Sequence, residues 1–213
     1  MVYITPIKCL SDESDLEEFK HSEVYREIIS FVKQTSESIQ GVKITDDCGQ
    51  CPILEKFCSF MLLLSDIINE IPPSNQPMRY GNKAFRDWHR RMLNETDEFL
   101  NDFLPTDELK LAKIELLPYL SQSFGNETRI DYGTGHELSI ILFFLSLYKL
   151  GVVTPSDFKY MIIKGFGSYI KCVRKLQEVY LLEPAGEVAI CIYTYEYVSV
   201  YNIIKYTLYA YVL

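Results

Sequence analysis

The sequence predicts an all-α protein, a single compact domain of about seven helices. Two observations lead to this prediction. Up to Gly186, apolar residues recur at helical spacing, and helix-starting and helix-stopping residues separate the periodic segments. The 213 residues, 48% of them hydrophobic and 23% charged, are enough to bury one substantial core. Strand-like alternation occurs only in the Tyr-, Ile- and Val-rich tail over residues 187–213.

The first two helices follow from their start and stop residues. One begins behind Ser22, a good N-cap, and runs to Gln40. The acidic residues before it indicate a solvated N-terminal arm over residues 1–20. The next helix fits Pro52 to Ile71, because proline is favoured in a first turn and two further prolines follow Ile71.

A loop separates these helices from the next group. The connector over residues 72–82 is rich in Pro, Ser, Asn and Gly, which is typical of irregular structure. An amphipathic helix follows over 83–104, with its cations outside. Two shorter helices fit 107–115 and 117–124, because Pro118 cannot donate a backbone hydrogen bond inside a helix.

The last two helices have the clearest start signals. Thr134 and Glu137 have the spacing of a capping box at the head of an apolar helix over 135–150. The segment 154–157, TPSD, places an N-cap, a first-turn proline and an early acid at the head of the next helix. That helix is predicted to run to about Leu182. Residues 21–186 are therefore predicted to form the helical domain.

Charge and hydropathy exclude several functional classes. A net charge of -8 argues against general affinity for nucleic acid or for an anionic membrane, because both require a basic face. Apart from the tail, no uncharged apolar stretch reaches the ~20 residues that span a bilayer. The N-terminal sequence has neither a signal nor a transit pattern. The expected location is the cytoplasm, with the nucleus as a further one.

The six cysteines are expected to be free thiols in a reducing compartment. They are Cys9, Cys48, Cys51, Cys58, Cys172 and Cys191. The spacing of Cys48 and Cys51 also fits a redox or zinc motif, which would need a βαβ context or a second ligand pair. The alternative is two thiols at the junction of a loop and a helix.

The stretch RIDYGTGHE, residues 129–137, is the main candidate for a binding site. A helix N-terminus exposes unpaired amides, and Gly133 and Gly135 would let an anion approach them. Arg129 can supply a planar fork of donors for a phosphate or a carboxylate. The stretch lacks the lysine of a Walker motif and does not follow a strand, as a dinucleotide fingerprint would.

A structural alternative explains the same stretch. Asp131 and His136 would add an acceptor and a titratable ring to an anion site. In the alternative, the glycines only form a tight turn, the cap only caps the helix, and Arg129 pairs with Asp131. Spacing alone leaves both interpretations open.

A second candidate is the basic and aromatic segment MRYGNKAFRDWHRR, residues 78–91. Such a mixture can bind nucleic acid or an acidic partner. The alternative is a solvated cationic face with Trp88 in the core. No Ser or Cys lies in a nucleophile elbow, so a triad hydrolase has no support.

Three segments resemble the phosphotyrosyl phosphatase activator family, the activators of protein phosphatase 2A. They are PPSNQPMRYGNKAFRDWH, GNETRIDYGTGHELSIILFFLSLYKLGV and RKLQEVYLLEPAG, and they occur in order between about Val24 and Gly186. The resemblance implies an all-α fold with core, lid and linker parts. It implies an activator that binds the phosphatase catalytic and scaffold complex with ATP and magnesium and promotes its active serine/threonine-specific form. The family is also described as a peptidyl-prolyl cis-trans isomerase that recognises proline-containing peptides.

The resemblance also assigns residues to the ATP site. The contacts carried over are Arg129, Thr134 and Gly135, supported by Asp131, Gly133, His136 and Glu137. It identifies no catalytic residue for isomerisation. A homodimer around a peptide is one further expectation from the resemblance.

The chain departs from the family pattern after Gly186. The family continues with GVWGLDD, whereas this chain reads EVAICIYTYEYVSVYNIIKYTLYAYVL. We therefore expect a fold that is incomplete at the C-terminus, no metal ligands, and impaired binding of ATP with magnesium. The alternative function is a non-catalytic, nucleotide-free interaction module or an inactive splice form.

Overall fold

The computed structural model describes residues 2–7, 9–77 and 79–185, and it confirms the predicted helical fold. The α-helices in this part of the chain are α1 (Glu13–His21), α2 (Glu23–Ser38), α3 (Pro52–Glu70), α4 (Ala84–Phe103), α5 (Asp107–Lys110), α6 (Lys113–Gln122), α7 (Thr134–Lys149), α8 (Phe158–Tyr160) and α9 (Gly167–Tyr180). A 3-10 turn, Pro155–Asp157, leads into α8, and a π-helical segment, Met161–Phe166, joins α8 to α9. Two short strands are present, β1 (Asp131–Gly133) and β2 (Glu183–Ala185). Among the described helices, none combines the length and the apolar character needed to cross a membrane.

Side-chain caps begin the first two helices. Ser22 caps α2 as predicted, and its Oγ accepts a hydrogen bond from the Tyr25 N–H at 3.1 Å. Asp12 caps α1 in the same way, accepting from the Asp15 N–H at 3.0 Å. The acidic segment predicted as a solvated arm therefore contains a helix, although none of the residues of α1 is buried. Acids in its first turn and bases in its last turn suit the helix dipole.

The helix starts predicted at Thr134 and at Thr154 have different outcomes. The start at 154–157 is confirmed and contains a capping box, in which the Thr154 N–H donates to Asp157 Oδ2 at 2.8 Å. The box predicted at Thr134 is wrong, because Gly133 is the N-cap of α7 and no described side chain caps that helix. The extended backbone of β1 ends at Gly133, which places Thr134 inside the helix. Glu137 is 1% exposed and lies in the interior.

The predicted break at Pro118 is also wrong. Pro118 lies inside α6, and the chain breaks earlier, between α5 and α6. A proline inside a helix removes one backbone donor and clashes with the carbonyl four residues earlier, which costs about 3 kcal/mol. Leu116 and Leu120, on either side of it, are fully buried. Their burial against the core outweighs the local cost of the proline.

Buried aromatic rings form the centre of the core. Trp88 donates its Nε1–H to the Leu64 carbonyl at 3.1 Å, so the polar end of its indole is satisfied. The Tyr180 hydroxyl donates to the Ile71 carbonyl at 2.8 Å. These two bonds fix α4 and the end of α9 against α3. The largest side chains that are less than 2% exposed are Trp88, Tyr132, Tyr169, Tyr180, Phe57, Phe85, Phe103, Phe124, Phe143, Phe144, Phe158 and Phe166.

The connector 72–82 is a loop, as predicted, and a buried asparagine organises it. Asn82 is 8% exposed. Its Oδ1 accepts from the N–H groups of Ser74 and Ala84, both at 3.1 Å, and its Nδ2 donates to the Ser74 carbonyl at 2.9 Å. One side chain therefore ties the start of the loop to the start of α4.

The same loop is bonded to the end of α9. The Gly81 N–H donates to the Leu181 carbonyl at 2.7 Å, and the Asn82 N–H donates to the Tyr180 carbonyl at 2.8 Å. Both partners at this point adopt positive φ, +75° at Gly81 and +51° at Leu181. Leu181 accepts the left-handed conformation because the chain must turn sharply out of α9 to reach β2.

Strands β1 and β2 form a parallel pair that the sequence did not predict. Asp131 pairs with Glu183, and Gly133 pairs with Ala185. At Gly133 a Cβ atom would lie 2.2 Å from the Ala185 carbonyl oxygen, so glycine is required for this close approach. Three residues are too few for an alternating pattern, and Pro184 in β2 suggests only a helix stop.

Gly133→Ala is expected to lower the free energy of unfolding by about 1–3 kcal/mol, because the backbones of β1 and β2 must move apart. Urea unfolding measures this change. The matched control is Gly167→Ala, since nothing lies within 4 Å of a Cβ at that position and its backbone is already helical. The control should raise stability by about 0.5–1 kcal/mol. Equal midpoints for both variants would contradict the close approach of the strands.

Asn82→Ala is expected to lower the free energy of unfolding by about 2–4 kcal/mol, because it removes three hydrogen bonds between a buried side chain and the backbone and leaves the buried Ala84 N–H without its partner. It should also speed tryptic cleavage after the exposed Arg79. Urea unfolding and timed trypsin digestion measure the two effects. Asn75→Ala, at an exposed position of the same loop, is the control and should change neither. Unchanged digestion of the Asn82 variant would show that this side chain does not fix the loop.

Candidate functional site

Three loops from distant parts of the sequence meet beside the N-terminus of α7. The connector 72–82 bonds to the residues after α9 through Gly81 and Leu181, as described above. The Glu183 N–H donates to the Ile130 carbonyl at 3.0 Å, which joins the end of α9 to the loop before α7. These loops lie in the three segments that carry the family resemblance. The structure therefore brings those segments together at one surface.

Arg86 at the start of α4 completes the junction. Its Nε–H donates to the Glu127 carbonyl at 2.9 Å, and its Nη2 donates to the Thr128 carbonyl at 3.1 Å. The guanidinium therefore holds the backbone of the loop just before Arg129. The sequence alone does not predict this role for Arg86. The only sequence feature that indicates this role is the position of Arg86 in a helix that begins directly after the connector.

Arg129 and Asp131 form a two-point ion pair at the turn. The Arg129 Nε–H donates to Asp131 Oδ2 at 2.5 Å, and its Nη2 donates to Oδ1 at 3.2 Å. The Arg129 side chain is 61% exposed, whereas the Asp131 side chain is 11% exposed. This pair is the contact that the structural alternative predicts. An arginine has five N–H donors, so donors remain for a ligand at the exposed edge.

His136 lies against the same carboxylate. Its Nδ1 is 2.6 Å from the Gln122 carbonyl oxygen, so Nδ1 carries a proton and donates it there. Its Nε2 is 3.9 Å from Asp131 Oδ1, and its ring stacks on Tyr132 at 5.5 Å. Burial lowers the pKa of His136, against the opposing effects of the Gln122 carbonyl and Asp131. A neutral imidazole leaves Arg129 as the main counter-charge of Asp131.

A buried polar layer supports the turn from below. The hydroxyl groups of Tyr132 and Tyr169 are 2.8 Å apart, and Tyr169 donates to the Ser123 carbonyl at 2.7 Å. Burial raises the pKa of both tyrosines well above the ordinary value, and the charge of Glu137 adds to the effect. Both phenols therefore stay protonated. Glu137 belongs to this interior layer and does not face a ligand that approaches from solvent.

The start of α7 is the part of the turn that can accept an anion. Thr134 and Gly135 are the first two residues of the helix, and both are half-buried. No described side chain caps α7, and the first amides of a helix are the groups to which an anion can bind. Gly133 has a different role from the one predicted, since the approach of β2 already accounts for its missing side chain. All seven predicted site residues lie within this one turn.

The described part of the basic segment 78–91 places its tryptophan in the core and two of its arginines in ion pairs. Trp88 is fully buried, and Arg90 and Arg91 pair with acids of their own helix. His89 is 6% exposed and lies 3.7 Å from the Glu127 carboxylate, and its burial lowers its pKa. This arrangement matches the alternative of a solvated cationic face with Trp88 in the core.

The described cysteines are free thiols, as predicted for Cys9, Cys48, Cys51, Cys58 and Cys172. Cys51 is the N-cap of α3, which places the Cys48–Cys51 pair at a junction of loop and helix. Burial raises the pKa of Cys51, so it is not an activated thiolate. Within residues 2–7, 9–77 and 79–185, no group of three or more His, Cys, Asp or Glu side chains is placed to hold a metal ion. Cys191 lies outside the described residues.

Comparisons with known proteins agree with the resemblance seen in the sequence. A family profile described as "Phosphotyrosyl phosphate activator (PTPA) protein" matches residues 6–198. The match extends past Gly186, where the sequence analysis placed the departure from the family. The solved structure of the PP2A phosphatase activator Ypa1 aligns with a TM-score of 0.72 and 29% identity, covering 87% of this chain and 60% of that one.

Curated relatives are similar over most of this chain. The serine/threonine-protein phosphatase 2A activator of Drosophila melanogaster is 38% identical over 179 residues, covering 84% of this chain and 45% of that protein. The probable activator 1 of Dictyostelium discoideum is 35% identical over 184 residues, covering 86% of this chain and 56% of that protein. The chain spans about half the length of these curated relatives. On the family match and the shared fold, the chain belongs to the phosphotyrosyl phosphate activator (PTPA) family.

Proposed function

We propose that this chain acts in the activation of protein phosphatase 2A, the role for which its relatives are named. The observation that carries the proposal is the meeting of the three family-like segments at the head of α7. Backbone hydrogen bonds and the Arg86 guanidinium hold these segments in a fixed arrangement. A surface built from distant segments and rigid before binding suits recognition of a protein partner.

The proposal includes binding of the ATP phosphates at this turn. Arg129 would supply the donors of its exposed edge, and the amides of Thr134 and Gly135 would supply the positive end of the α7 dipole. Asp131 would compete with the phosphates for Arg129. The described residues offer no carboxylate cluster for magnesium. We therefore expect the competition with Asp131 to weaken nucleotide binding.

The proposal also includes peptidyl-prolyl isomerisation. Rotation about an X-Pro bond faces a barrier of ~20 kcal/mol and needs no nucleophile, because desolvating the amide and orienting its carbonyl can lower the barrier. An exposed N–H donor such as Arg129 suits that orienting role. No side chain is assigned as catalytic.

A second candidate function is an interaction module without nucleotide. The observation that favours it is the Arg129–Asp131 pair, which occupies one edge of the guanidinium. Partner binding through the junction of loops would not need that guanidinium. The two functions therefore differ in how strongly they depend on Arg129.

Calorimetric titration of the chain with ATP and magnesium is expected to give measurable heat, and Arg129→Ala should weaken binding by about tenfold or more, because charge-assisted bonds to phosphate are lost. Arg90→Ala is the matched control, since Arg90 is exposed and pairs within α4. It should bind ATP as the unmodified chain does. Absence of heat at millimolar nucleotide would favour the interaction module.

The same variants separate the two functions when the purified phosphatase is added. If activation uses nucleotide, Arg129→Ala should lower the gain in hydrolysis of a phosphoserine peptide about tenfold at limiting ATP. Arg90→Ala should retain the gain. Full activation by the Arg129 variant without ATP would contradict the nucleotide-dependent function, and failure of all variants to activate would contradict the proposed role.

A further inference from the structure

A groove separates α3 from α4 on a part of the molecule that none of the predicted site residues lines. It encloses about 550 Å³. Its floor contains Phe60, Phe99 and Phe103, and its rim carries several carboxylates. We propose that this groove is a docking site for a basic peptide segment that carries an aliphatic or aromatic anchor residue. The proposal does not depend on the function proposed for the turn at α7.

The floor of the groove is apolar and rigid. Phe60 and Phe99 stack in parallel with ring centroids 4.1 Å apart, and Phe103 lies 4.8 Å from Phe99. Phe60 and Phe103 are buried, whereas Phe99 is only partly buried and Leu63 is 43% exposed. Leu63 and Phe99 therefore present apolar surface to the groove on a preformed aromatic base. Such a surface suits one apolar anchor of a ligand.

The rim of the groove is strongly acidic. Four acids line it, and Lys56 is the single cation among the described residues that do so. Glu95 is paired with Arg91 at 2.6 Å. The other three, Glu55, Glu98 and Asp102, form no ion pair with any residue that the structure describes. Their charge is therefore available to a basic partner.

Helix stability does not explain the placement of Asp102. A helix C-terminus carries partial negative charge, so an acid in the last turn is unfavourable by roughly 0.3–1 kcal/mol. Asp102 nevertheless lies in the last turn of α4, which contains no basic residue, and Glu98 lies one turn before it. Glu55 lies in the first turn of α3, where the dipole favours an acid. The carbonyls at the C-terminal end of α4 add to the field of the carboxylates there. A cationic ligand would relieve this repulsion.

The charges also select among occupants. An acidic or phosphorylated segment would be repelled by the rim. A second copy of the chain brings a net charge of -8, which opposes self-association. A lysine- or arginine-rich segment gains from both the rim and the floor, because its side chains can place cations over carboxylates while an apolar neighbour contacts Leu63.

Fluorescence anisotropy with a labelled peptide of Lys, Leu and Phe tests the proposal on the full chain. We expect saturable binding that weakens with added salt. Glu98→Lys combined with Asp102→Lys should weaken binding about tenfold or more. Glu18→Lys combined with Glu37→Lys changes the net charge equally at exposed positions of α1 and α2, and it should leave binding nearly unchanged.

A third variant, Leu63→Ser, isolates the apolar contact without a change of charge. It should weaken binding severalfold and leave the salt dependence as it was. Thermal unfolding by circular dichroism checks that each variant is folded.

Three outcomes would overturn the proposal. One is equal affinity for a peptide in which Glu replaces every Lys. Another is equal loss of binding in the Glu18 and Glu37 control. A third is a dimer of the unmodified chain, detected by sedimentation, that the Glu98 and Asp102 changes dissociate, since a second copy would then occupy the groove. None of these outcomes bears on Arg129, so failure here leaves the proposed function standing.

Discussion

The candidate site depends on a sharp turn of the backbone at the end of α9. Leu181 adopts the left-handed conformation, and two carbonyls at this point accept hydrogen bonds from the connector 72–82. Only after this turn can Glu183 pair with the chain beside Asp131. The turn thus brings together the connector 72–82 and the loop before α7, which are about 50 residues apart in sequence, and joins both to the residues after α9. Without this turn, Arg129 and the N-terminus of α7 would lack the surrounding surface that the three loops form together.

Electrostatic balance at the turn decides what it can bind. Asp131 is nearly buried, and Arg129 neutralises it from the exposed side. His136 donates to the Gln122 carbonyl, and burial favours its neutral form, so Arg129 and Asp131 nearly cancel each other's charge on the exposed side of the turn. An anion would therefore have to share Arg129 with Asp131, and the uncapped amides of α7 supply the remaining attraction. This arrangement favours a ligand that contacts both groups at once.

The parts of the fold that the sequence predicted correctly are those with local causes. Ser22, Pro52 and Thr154 begin helices by bonds or by ring geometry within one turn, so their signals can be read along the chain. The predictions failed where contacts distant in sequence decide. The pairing of β2 with β1 moved the N-cap of α7 to Gly133, and core packing carried α6 through Pro118.

The same distinction holds for the site. The glycines and Arg129 marked the turn at 129–137 as a candidate site, and the family resemblance gave it a predicted ligand, because it compares whole motifs and not single residues. It gave no indication that Asn82 and Arg86 hold the neighbouring loops, since each is an ordinary polar residue in a segment that predicts a loop or a solvated helix face. A polar side chain next to a Pro- and Gly-rich connector indicates that it holds the loop only once its burial is known, and the sequence does not show burial.

Helix α4 connects the two surfaces and has an unusual distribution of charge. Arg86, Arg90 and Arg91 lie in its first half, whereas its acids are concentrated in the second half. Arg86 in the first turn and Asp102 in the last turn oppose the helix dipole, whereas Arg90 and Arg91 form ion pairs within the helix. Arg86 offsets its cost by holding the loop before Arg129. Glu95 pairs with Arg91 and Asp97 pairs with Lys113, whereas Glu98 and Asp102 form no ion pair with any described residue. At the N-terminal end of α4, Arg86 opposes the dipole but donates to carbonyl oxygens of the neighbouring loop. By the same reasoning, the acids at the C-terminal end indicate a contact with a cationic partner.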